Sequence, residues 1–359
     1  MTRIILFIDM RNFKRLLYLF LAFTLLLPSL LFTGCGKSPT KYTAYFYEYF
    51  DTVIQIIGYE DSEEEFNAVI SDIEEELSYY HKLFDIYYKY NGVNNIALLN
   101  DKAAKGEIEV DPELTKFLLY CKDMHNKTDG RINIAMGSVL KIWHKYRENA
   151  IKEPDNANIP SKSELIDAST HTDISKLIID SEKNTVFYED EKLKLDVGAV
   201  AKGYTTELIY DKLKEKGKDD YLLNLGGNIK TLGDSGNKPW LAGIENPDKL
   251  SMESIIEYIE LSDMALVTSG SYQRYYMYEG KRYCHIIDKN TLFPADNFFS
   301  VSVITEDSAD GDVLSTALFT MSIEEGKALL KEFGRAEAMW VNKDGTKIYS
   351  DNFSDYIKK

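Results

Sequence analysis

The chain has 359 residues, of which 44% are hydrophobic, 13% aromatic and 28% charged, a composition typical of a globular protein with a packed core. This composition excludes a disordered chain, a collagen and a small disulfide scaffold. The 58 acidic residues outnumber the 42 Lys and Arg residues and give a formal charge of −16, which argues against a surface that binds nucleic-acid phosphates.

The N-terminal residues have the pattern of a secretory signal. Basic residues precede an uncharged run, Leu16 to Phe32, which is short for a membrane span of about 20 residues. The run leads into Phe-Thr-Gly-Cys, which indicates a lipobox with Cys35 as the residue that receives the lipid. We expect a signal peptide at 1–34, a tether at 35–49 and one domain at 50–359. The protein would be a lipoprotein on the extracytoplasmic face of the cell membrane; a plain cleaved signal or an uncleaved anchor are the alternatives.

Two further cysteines follow, Cys121 and Cys284. They fit core positions on a helix and in a strand, or a disulfide in an oxidising compartment, and we favour the core positions. Without a C-x-x-C pair or a His/Cys cluster, the sequence gives no support for a zinc or iron–sulfur site.

Two amphipathic helices are predicted in the first half. In segment 62–84, apolar residues recur every three or four positions, and Ser62 with Glu65 has the spacing of a capping box. A second helix is predicted at 112–130, where a proline occupies the first turn. Residues 145–172 are polar, and we expect an irregular solvated insertion or a lid there.

The second half of the chain is dominated by short β-type runs separated by turns. Glu279-Gly280 and Asp344-Gly345 indicate hairpins, so we predict an α+β fold with mixed, largely antiparallel sheets and packed helices. Strands are predicted at 185–188, 193–197, 221–225, 255–261, 265–268 and 300–305.

Two glycine-containing segments could approach a ligand. In LDVGAVAKGY at 195–204 a strand runs into a helix start, where Lys202 and free amides could face an anion and Asp196 could accept a hydrogen bond. A tight turn with a solvated lysine is an equal alternative. NLGGNI at 224–229 is a weaker signal, and neither segment has the spacing of a Rossmann or P-loop site.

His285 and a pair of oxygen-bearing residues are candidates for catalysis and metal binding. The ordinary pKa of a histidine side chain would let His285 act as a base near neutral pH, although a structural role is commoner for a single histidine. Asp312 and Thr316 lie four residues apart on a predicted helix and form a hard-oxygen pair suited to Mg²⁺ or Ca²⁺. A capping Asp with a core-facing Thr is the alternative.

Taken together, these segments resemble the ApbE family of FAD:protein FMN transferases, long labelled thiamine-biosynthesis lipoproteins. The similarity extends from about Phe50 to Met321. Its blocks in chain order are LLN at 98–100, TDGRINIAMGSVLKIW at 128–143, LDVGAVAKGY, YLLNLGGNI at 221–229, WLAGIENP at 240–247, TSGSYQRYY at 268–276, HIIDKNTLFP at 285–294 and DVLSTAL at 312–318. Several blocks in the right order are more specific than any one glycine pair.

The resemblance implies an enzyme that cleaves the pyrophosphate of FAD with Mg²⁺, attaches FMN to a threonine of an acceptor protein and releases AMP. By similarity, Asp312 and Thr316 would be metal ligands, with Ser315 beside them and the backbone carbonyl of Ala199 completing the site. His285 would be the base that activates the acceptor hydroxyl.

The resemblance also implies contacts to FAD. These are Arg131, Ile132, Asn133, Asp196, Lys202 and Ile286. Many family members have Phe-Asp where this chain has Ile132-Asn133, so a neutral amide replaces an acidic flavin contact. Tyr87 is a candidate for stacking on the isoalloxazine or adenine ring, with a core aromatic as the alternative.

Three functions are compatible with the sequence. The first is the transferase, whose partners would be extracytoplasmic acceptor domains of membrane redox proteins that carry a flavinylation threonine. The second is a Mg²⁺-dependent FAD pyrophosphatase that releases FMN and AMP. The third is a non-catalytic flavin-binding lipoprotein. The chain lacks an acceptor motif of its own, so self-flavinylation is not expected.

Overall fold

The computed structural model describes residues 39–359. The predicted signal peptide and Cys35 lie outside the described residues, and the domain boundaries at 35–49 and 50–359 stay predictions. Residues Lys41–Lys359 form one compact unit. Within the described part of the chain, no helix combines the length and apolar character needed to cross a bilayer.

Short polar side chains set the starts of the first long helices. The Ser62 hydroxyl accepts a hydrogen bond from the Glu65 amide at 3.2 Å, and Asp111 caps the helix that begins at Pro112. Both helices predicted for the first half are confirmed. The helices in residues 39–359 are α1 (Glu63–Phe84), α2 (Ile96–Lys102), α3 (Pro112–Lys127), α4 (Gly137–Lys152), α5 (Lys162–Ser169), α6 (Ala201–Glu215), α7 (Ser308–Phe319) and α8 (Ile323–Leu330).

Most of the strands belong to one large sheet. The strands are β1 (Thr40–Phe46), β2 (Ile54–Glu60), β3 (Ile108–Glu109), β4 (Leu177–Asp180), β5 (Thr185–Tyr188), β6 (Tyr221–Leu225), β7 (Asn228–Leu232), β8 (Trp240–Glu245), β9 (Ile255–Leu261), β10 (Ala265–Gly270), β11 (Tyr275–Tyr278), β12 (Lys281–Cys284), β13 (Ser300–Thr305), β14 (Glu337–Val341) and β15 (Lys347–Tyr349). The large sheet has the order β1-β2-β6-β7-β10-β13-β14-β15, and the pairs from β2 to β15 are antiparallel. Smaller sheets are β3-β5-β4, β8-β9 and β11-β12. The predicted α+β class and both predicted hairpins are confirmed.

The expectation of an irregular insertion at 145–172 is wrong. Helix α4 continues to Lys152, and α5 follows it. Trp143 and Ala150 are buried two turns apart on α4, and Leu165 of α5 is fully buried with them. Because polar residues surround these few apolar positions, the polar composition of the segment did not reveal its helical period.

The strand predicted at 193–197 is also wrong. The segment makes one isolated bridge, between Lys194 and Met136, and no ladder. Its alternate residues are buried as in a strand, but the Leu195 amide donates to Oδ1 of Asn100 at 2.7 Å. A side chain therefore supplies the hydrogen bond that a neighbouring strand would have supplied.

Apolar layers cover both faces of the large sheet. Along β13, Val301 and Val303 belong to the cluster that contains α7 and α3, whereas Ile304 belongs to the cluster under the β8–β9 hairpin. Helix α4 packs against β11. Cys121 and Cys284 are buried free thiols, so their predicted core positions are confirmed. These layers surround one cleft. The starts of α6 and α7, the β6–β7 turn and the base of the β11–β12 hairpin lie at this cleft.

Candidate active site

One cleft brings most of the predicted site residues together. Its volume is about 1190 Å³. The predicted residues that line it are Tyr87, Arg131, Ile132, Asn133, Asp196, Ala199, Lys202, His285, Ile286, Asp312 and Thr316. Ser315 is not among the lining residues. The roles of these residues stay predictions, whereas their proximity is a property of the fold.

Asp312 is a buried carboxylate in the cleft wall, and its residue is 5% exposed. Oδ2 accepts a hydrogen bond from the Gly203 amide at 2.6 Å, and Oδ1 accepts one from Nδ2 of Asn228 at 2.9 Å. Burial raises the pKa of Asp312, and the Lys202 ammonium, 4.0 Å from Oδ2, opposes that rise. The carboxylate is therefore held by donors from α6 and β7 with a cation beside it.

The Gly203 position allows α6 and α7 to approach closely. A Cβ there would lie 2.3 Å from the Ser308 carbonyl oxygen and 2.9 Å from Cγ of Asp312, distances too short for any side chain. In a regular helix the Gly203 amide would donate to the Ala199 carbonyl, but it donates to Asp312 instead. The Ala199 carbonyl consequently lacks its helical partner at the edge of the cleft.

Thr316 follows Asp312 by one helical turn, so both side chains project from the same side of α7. Oγ of Ser269 in β10 lies 3.3 Å from Oγ1 of Thr316 and 2.9 Å from Oγ of Ser315. Ser315 also donates to the backbone carbonyl of Asp312 at 3.2 Å and is 1% exposed. The structure thus places Ser315 behind the cleft wall, in contact with Ser269.

The donors at this end of the cleft fit a hard cation. The Asp312 carboxylate, the Thr316 hydroxyl and the Ala199 carbonyl all offer oxygen, the atom that Mg²⁺ and Ca²⁺ prefer. Residues 39–359 contain no group of three or more His, Cys, Asp and Glu side chains that could hold a metal ion. A cation here would therefore combine one carboxylate with neutral oxygens, waters and the oxygens of a bound phosphate.

Asn228 is a functional candidate that the sequence analysis did not identify. Gly226 and Gly227, with φ of 61° and 91°, form the two-residue turn between β6 and β7 and place Asn228 at the cleft. Asn228 donates to Asp312, and its Oδ1 accepts from the Ser308 hydroxyl at 2.5 Å. The sequence signal that could have identified Asn228 is its position directly after the paired glycines.

A buried ion pair holds the start of α7 from behind. Oε2 of Glu207 accepts from the Ser308 amide at 2.7 Å, and Oε1 lies 3.2 Å from Nζ of Lys230. Only 2% of the Lys230 side chain is exposed. Burial raises the pKa of Glu207 to about 7, despite the opposing charge of Lys230. The pair fixes α7 relative to α6 and β7.

His285 lies at the base of the β11–β12 hairpin. Its amide donates to the Arg274 carbonyl at 3.0 Å, and Nδ1 lies 3.2 Å from the same oxygen. Because a carbonyl can only accept, this contact assigns the proton to Nδ1 and leaves Nε2 as an acceptor. Burial, followed by the charges of Arg274, Arg147 and Lys202, lowers the pKa of His285 to about 3. The imidazole is therefore neutral at neutral pH.

Asp196 and Tyr87 are linked through His144, which the sequence analysis missed. Nε2 of His144 lies 3.6 Å from Oδ2 of Asp196, and Nδ1 lies 3.4 Å from the Tyr87 hydroxyl. Asp196 also accepts from the Gly198 amide at 3.0 Å. Tyr87 is 53% exposed at the cleft rim, so the core-aromatic alternative for it is wrong. No spacing pattern in the sequence marks His144.

Arg131 is tied to the protein by several contacts. Its Nη1 donates to the Thr320 carbonyl at 3.1 Å and lies 3.6 Å from Oδ2 of Asp288, and Nη2 lies 3.5 Å from Oε1 of Glu325. Its buried Nε has no hydrogen-bond partner among the described residues. The guanidinium therefore joins the cleft wall to the C-terminal end of α7.

The Asn133 side chain is largely engaged by backbone groups of the protein. Nδ2 donates to the Thr172 carbonyl at 2.9 Å, and Oδ1 accepts from the Ala135 amide at 2.9 Å. Ile132 and Ile286 are 2% and 5% exposed and supply apolar wall. This side of the cleft offers a ligand mainly apolar surface and one remaining amide hydrogen.

The sequence matches proteins of known activity. The sequence model of the ApbE family matches residues 50–340. The FAD:protein FMN transferase of Klebsiella pneumoniae (strain 342) is 32% identical over 253 residues, 70% of this chain and 76% of that protein. The protein of the same name from Treponema pallidum (strain Nichols) is 31% identical over 264 residues, 69% of this chain and 71% of that protein.

Solved structures share the fold. A crystal structure of the ApbE protein from Thermotoga maritima has a TM-score of 0.76 and 24% identity and covers 89% of this chain and 100% of that chain. The flavin transferase ApbE from Vibrio cholerae has a TM-score of 0.73 and 23% identity and covers 88% and 100%. With the family match across most of its length, this chain belongs to the ApbE family.

Proposed function

We propose that this protein is an FAD:protein FMN transferase that joins FMN through a phosphoester to a threonine of an acceptor protein and releases AMP. Two relatives, 32% and 31% identical to this chain, are named FAD:protein FMN transferase. The observation that carries the proposal is the buried Asp312 carboxylate, with Lys202 4.0 Å away, in the cleft that also holds His285.

In the proposed reaction, a bond forms between the threonine Oγ and the phosphorus of the FMN half. The anhydride bond to AMP breaks, AMP leaves with the bonding electrons, and the hydroxyl proton passes to Nε2 of His285. A threonine hydroxyl needs a base because its pKa is far above neutral. The negative charge of bound FAD would offset Arg274, Arg147 and Lys202, the cations that help to lower the pKa of His285, and would so raise the basicity of its Nε2. A neutral imidazole whose Nδ1 faces a carbonyl has its Nε2 available for this proton.

We propose Asp312, Thr316 and the Ala199 carbonyl as the protein's ligands to Mg²⁺, with Ser315 supporting them. When bound, Mg²⁺ would neutralise charge on the pyrophosphate oxygens and stabilise the departing phosphate. Lys202 adds a positive charge beside the same carboxylate.

We also propose that the remaining predicted residues bind FAD. Asp196 can accept from a hydroxyl or ring N–H of the ligand, and Tyr87 presents an exposed ring at the cleft rim for stacking. Arg131, Ile132, Asn133 and Ile286 would form the wall against the flavin.

The experiment incubates the detergent-solubilised full chain with FAD, Mg²⁺ and an acceptor domain that carries a candidate threonine. We expect flavin fluorescence on the acceptor in a denaturing gel and one AMP released per label, both stopped by EDTA. Asp312→Ala is expected to abolish both products. Asp310→Ala is the matched control, since Asp310 lies on α7 but its carboxylate accepts from Tyr120 at 2.8 Å, away from the cleft-lining set.

The same incubation separates the alternatives. Free FMN and AMP with an unlabelled acceptor would identify a pyrophosphatase. FAD that stays bound in EDTA and yields no AMP would identify a flavin-binding protein without turnover. An Asp312→Ala variant that cleaves FAD at the parental rate would show that the assigned site is wrong.

We propose further that Cys35 carries a lipid and holds the enzyme on the extracytoplasmic face of the cell membrane. Its acceptors would be extracytoplasmic domains of membrane redox proteins. Anchoring enzyme and acceptor to one surface raises their effective concentration. Labelled palmitate should enter the parental protein, whereas Cys35→Ser should prevent labelling.

A further inference from the structure

Two arginines that the sequence analysis did not identify lie in the cleft near His285. Arg147 belongs to α4, Arg274 directly precedes β11, and both line the cleft. Nη2 of Arg274 donates to the backbone carbonyl of Asp51 at 3.0 Å, and the Arg274 carbonyl accepts from the amide of His285. The Asp51 carbonyl thus holds the guanidinium of Arg274, and the backbone of Arg274 contacts that of His285.

Neither guanidinium has a carboxylate partner in the described part of the chain. The arginines of residues 39–359 that form ion pairs are Arg131 and Arg335. Arg147 and Arg274 have no carboxylate oxygen within the 4.0 Å limit of an ion pair. Among the described residues Arg282 also forms no ion pair, but unlike Arg147 and Arg274 it does not line the cleft.

The two cations also act on each other and on His285. Burial lowers the pKa of Arg147 and the charge of Arg274 adds to this effect, whereas Tyr87, Glu148 and Asp196 oppose it. Among the cations near His285, Arg274 lowers its pKa most, followed by Arg147 and then Lys202. A partly desolvated Arg147 cation beside a second guanidinium is unfavourable unless an anion lies between them.

We propose that Arg147 and Arg274 form an anion subsite that holds the phosphate of the FMN half of the substrate, separate from the Asp312 and Lys202 end of the cleft. The proposal rests on the proposed function, because the phosphorus to be attacked must lie near His285. Arginine suits this role, since its planar fork donates two parallel hydrogen bonds to phosphate oxygens. The pair would hold the phosphorus in place and stabilise the negative charge that develops as the threonine oxygen attacks.

The test compares FMN with riboflavin, which differ by this phosphate alone. Each is titrated into the full chain in EDTA, with quenching of flavin fluorescence as the readout, so that neither metal nor turnover contributes. We expect the parental protein to bind FMN at least about tenfold more tightly than riboflavin. In the Arg147→Gln/Arg274→Gln double variant the ratio should fall to within about twofold of one, with riboflavin affinity unchanged.

Matched variants separate a specific subsite from bulk charge. Arg335→Gln removes the same charge from an exposed ion pair with Glu306 and should keep the parental ratio. Arg147→Lys/Arg274→Lys keeps both charges, loses the fork and should give an intermediate ratio. If riboflavin binding shows that the double Gln variant is misfolded, Arg147→Gln and Arg274→Gln singly are each expected to lower the ratio.

An unchanged ratio in the folded Gln variants would overturn the proposal, and so would an equal fall in Arg335→Gln. An unchanged ratio together with a raised KM for the acceptor would assign the arginines to a carboxylate of the acceptor and would also overturn it. Failure of the proposed function gives a different result. Suppose that the parental protein makes no AMP and labels no acceptor, but that the preference for FMN disappears in the double variant. That result would support the anion subsite and contradict the transfer reaction.

Discussion

The Gly203 amide lies 2.6 Å from Oδ2 of Asp312, and this hydrogen bond joins residues 109 positions apart in the chain. It exists because glycine lets the start of α6 approach α7 until a Cβ would collide with the Ser308 carbonyl. Because the Gly203 amide donates to Asp312, it does not donate to the Ala199 carbonyl. One backbone contact thus fixes a carboxylate and frees a carbonyl at the same place.

Gly203→Ala should therefore damage both stability and activity. The added methyl group would meet backbone 2.3 Å away and push α7 from α6, so we expect a loss of about 1–3 kcal/mol in the free energy of unfolding. FAD cleavage should fall by at least about tenfold as Asp312 shifts. Urea unfolding and AMP release measure the two effects. Gly106→Ala is the control, since a Cβ there meets nothing within 4 Å, and parental activity in Gly203→Ala would contradict the prediction.

His285 should make the protein sensitive to acid. Its pKa is about 3 in the folded protein against an ordinary 6.5, so the unfolded chain binds more protons between these values. The contribution of His285 to the free energy of unfolding is complete above pH 6.5 and is lost as the pH falls towards 3. Urea unfolding at pH 7 and pH 5 should show a smaller acid-induced loss in His285→Gln than in the parental protein. Equal losses in the two proteins would refute the low pKa.

The buried Glu207–Lys230 pair should show strong coupling. At pH 8, above the raised pKa of Glu207, Glu207→Gln would leave the Lys230 ammonium buried without a counter-charge, at a cost of about 3–5 kcal/mol in the free energy of unfolding. Adding Lys230→Met should recover part of that loss. A double-mutant cycle by urea unfolding measures the coupling, and simple additivity of the two changes would speak against the pair.

Tyr87 should contribute to flavin binding through its ring. Tyr87→Ala is expected to weaken FAD binding by about 0.5–1.5 kcal/mol, because a half-exposed ring at the rim can stack on a flat ligand. Tyr87→Phe keeps the ring and loses only the 3.4 Å contact to His144, so it should bind FAD like the parental protein. Fluorescence titration distinguishes these variants, and a Phe variant as weak as Ala would assign the effect to the hydroxyl.

Local signals predicted the elements whose stabilisation is local. The helix after Ser62 and the helix from Pro112 have caps and apolar periods that are readable in a short window, and the turn at Glu279-Gly280 fixes its hairpin. The failure at 193–197 has the opposite cause. Its alternation is that of a strand, but its hydrogen-bond partner is the side chain of Asn100, 95 residues before Leu195, which no local window contains.

The residues of the candidate site also fall into those that a local motif predicts and those that only the fold identifies. Asp312, Thr316 and Lys202 stand in recognisable motifs, and the fold brings them into one cleft. Asn228 and His144 become candidates only through their contacts, because an amide on Asp312 and an imidazole between Tyr87 and Asp196 depend on packing between distant segments. Such residues carry no spacing signal in a single sequence.

The separation of Gly203 from Asp312 also links ligand binding to the folding equilibrium. The strands β7, β10 and β13 separate the two residues along the chain, so a molecule that bridges α6 and α7 binds the native chain and has no counterpart site in the unfolded one. A ligand present at one hundred times its Kd would then raise the free energy of unfolding by about 2.7 kcal/mol. Thermal melting curves can for this reason rank nucleotides and cations against this protein before any acceptor is in hand.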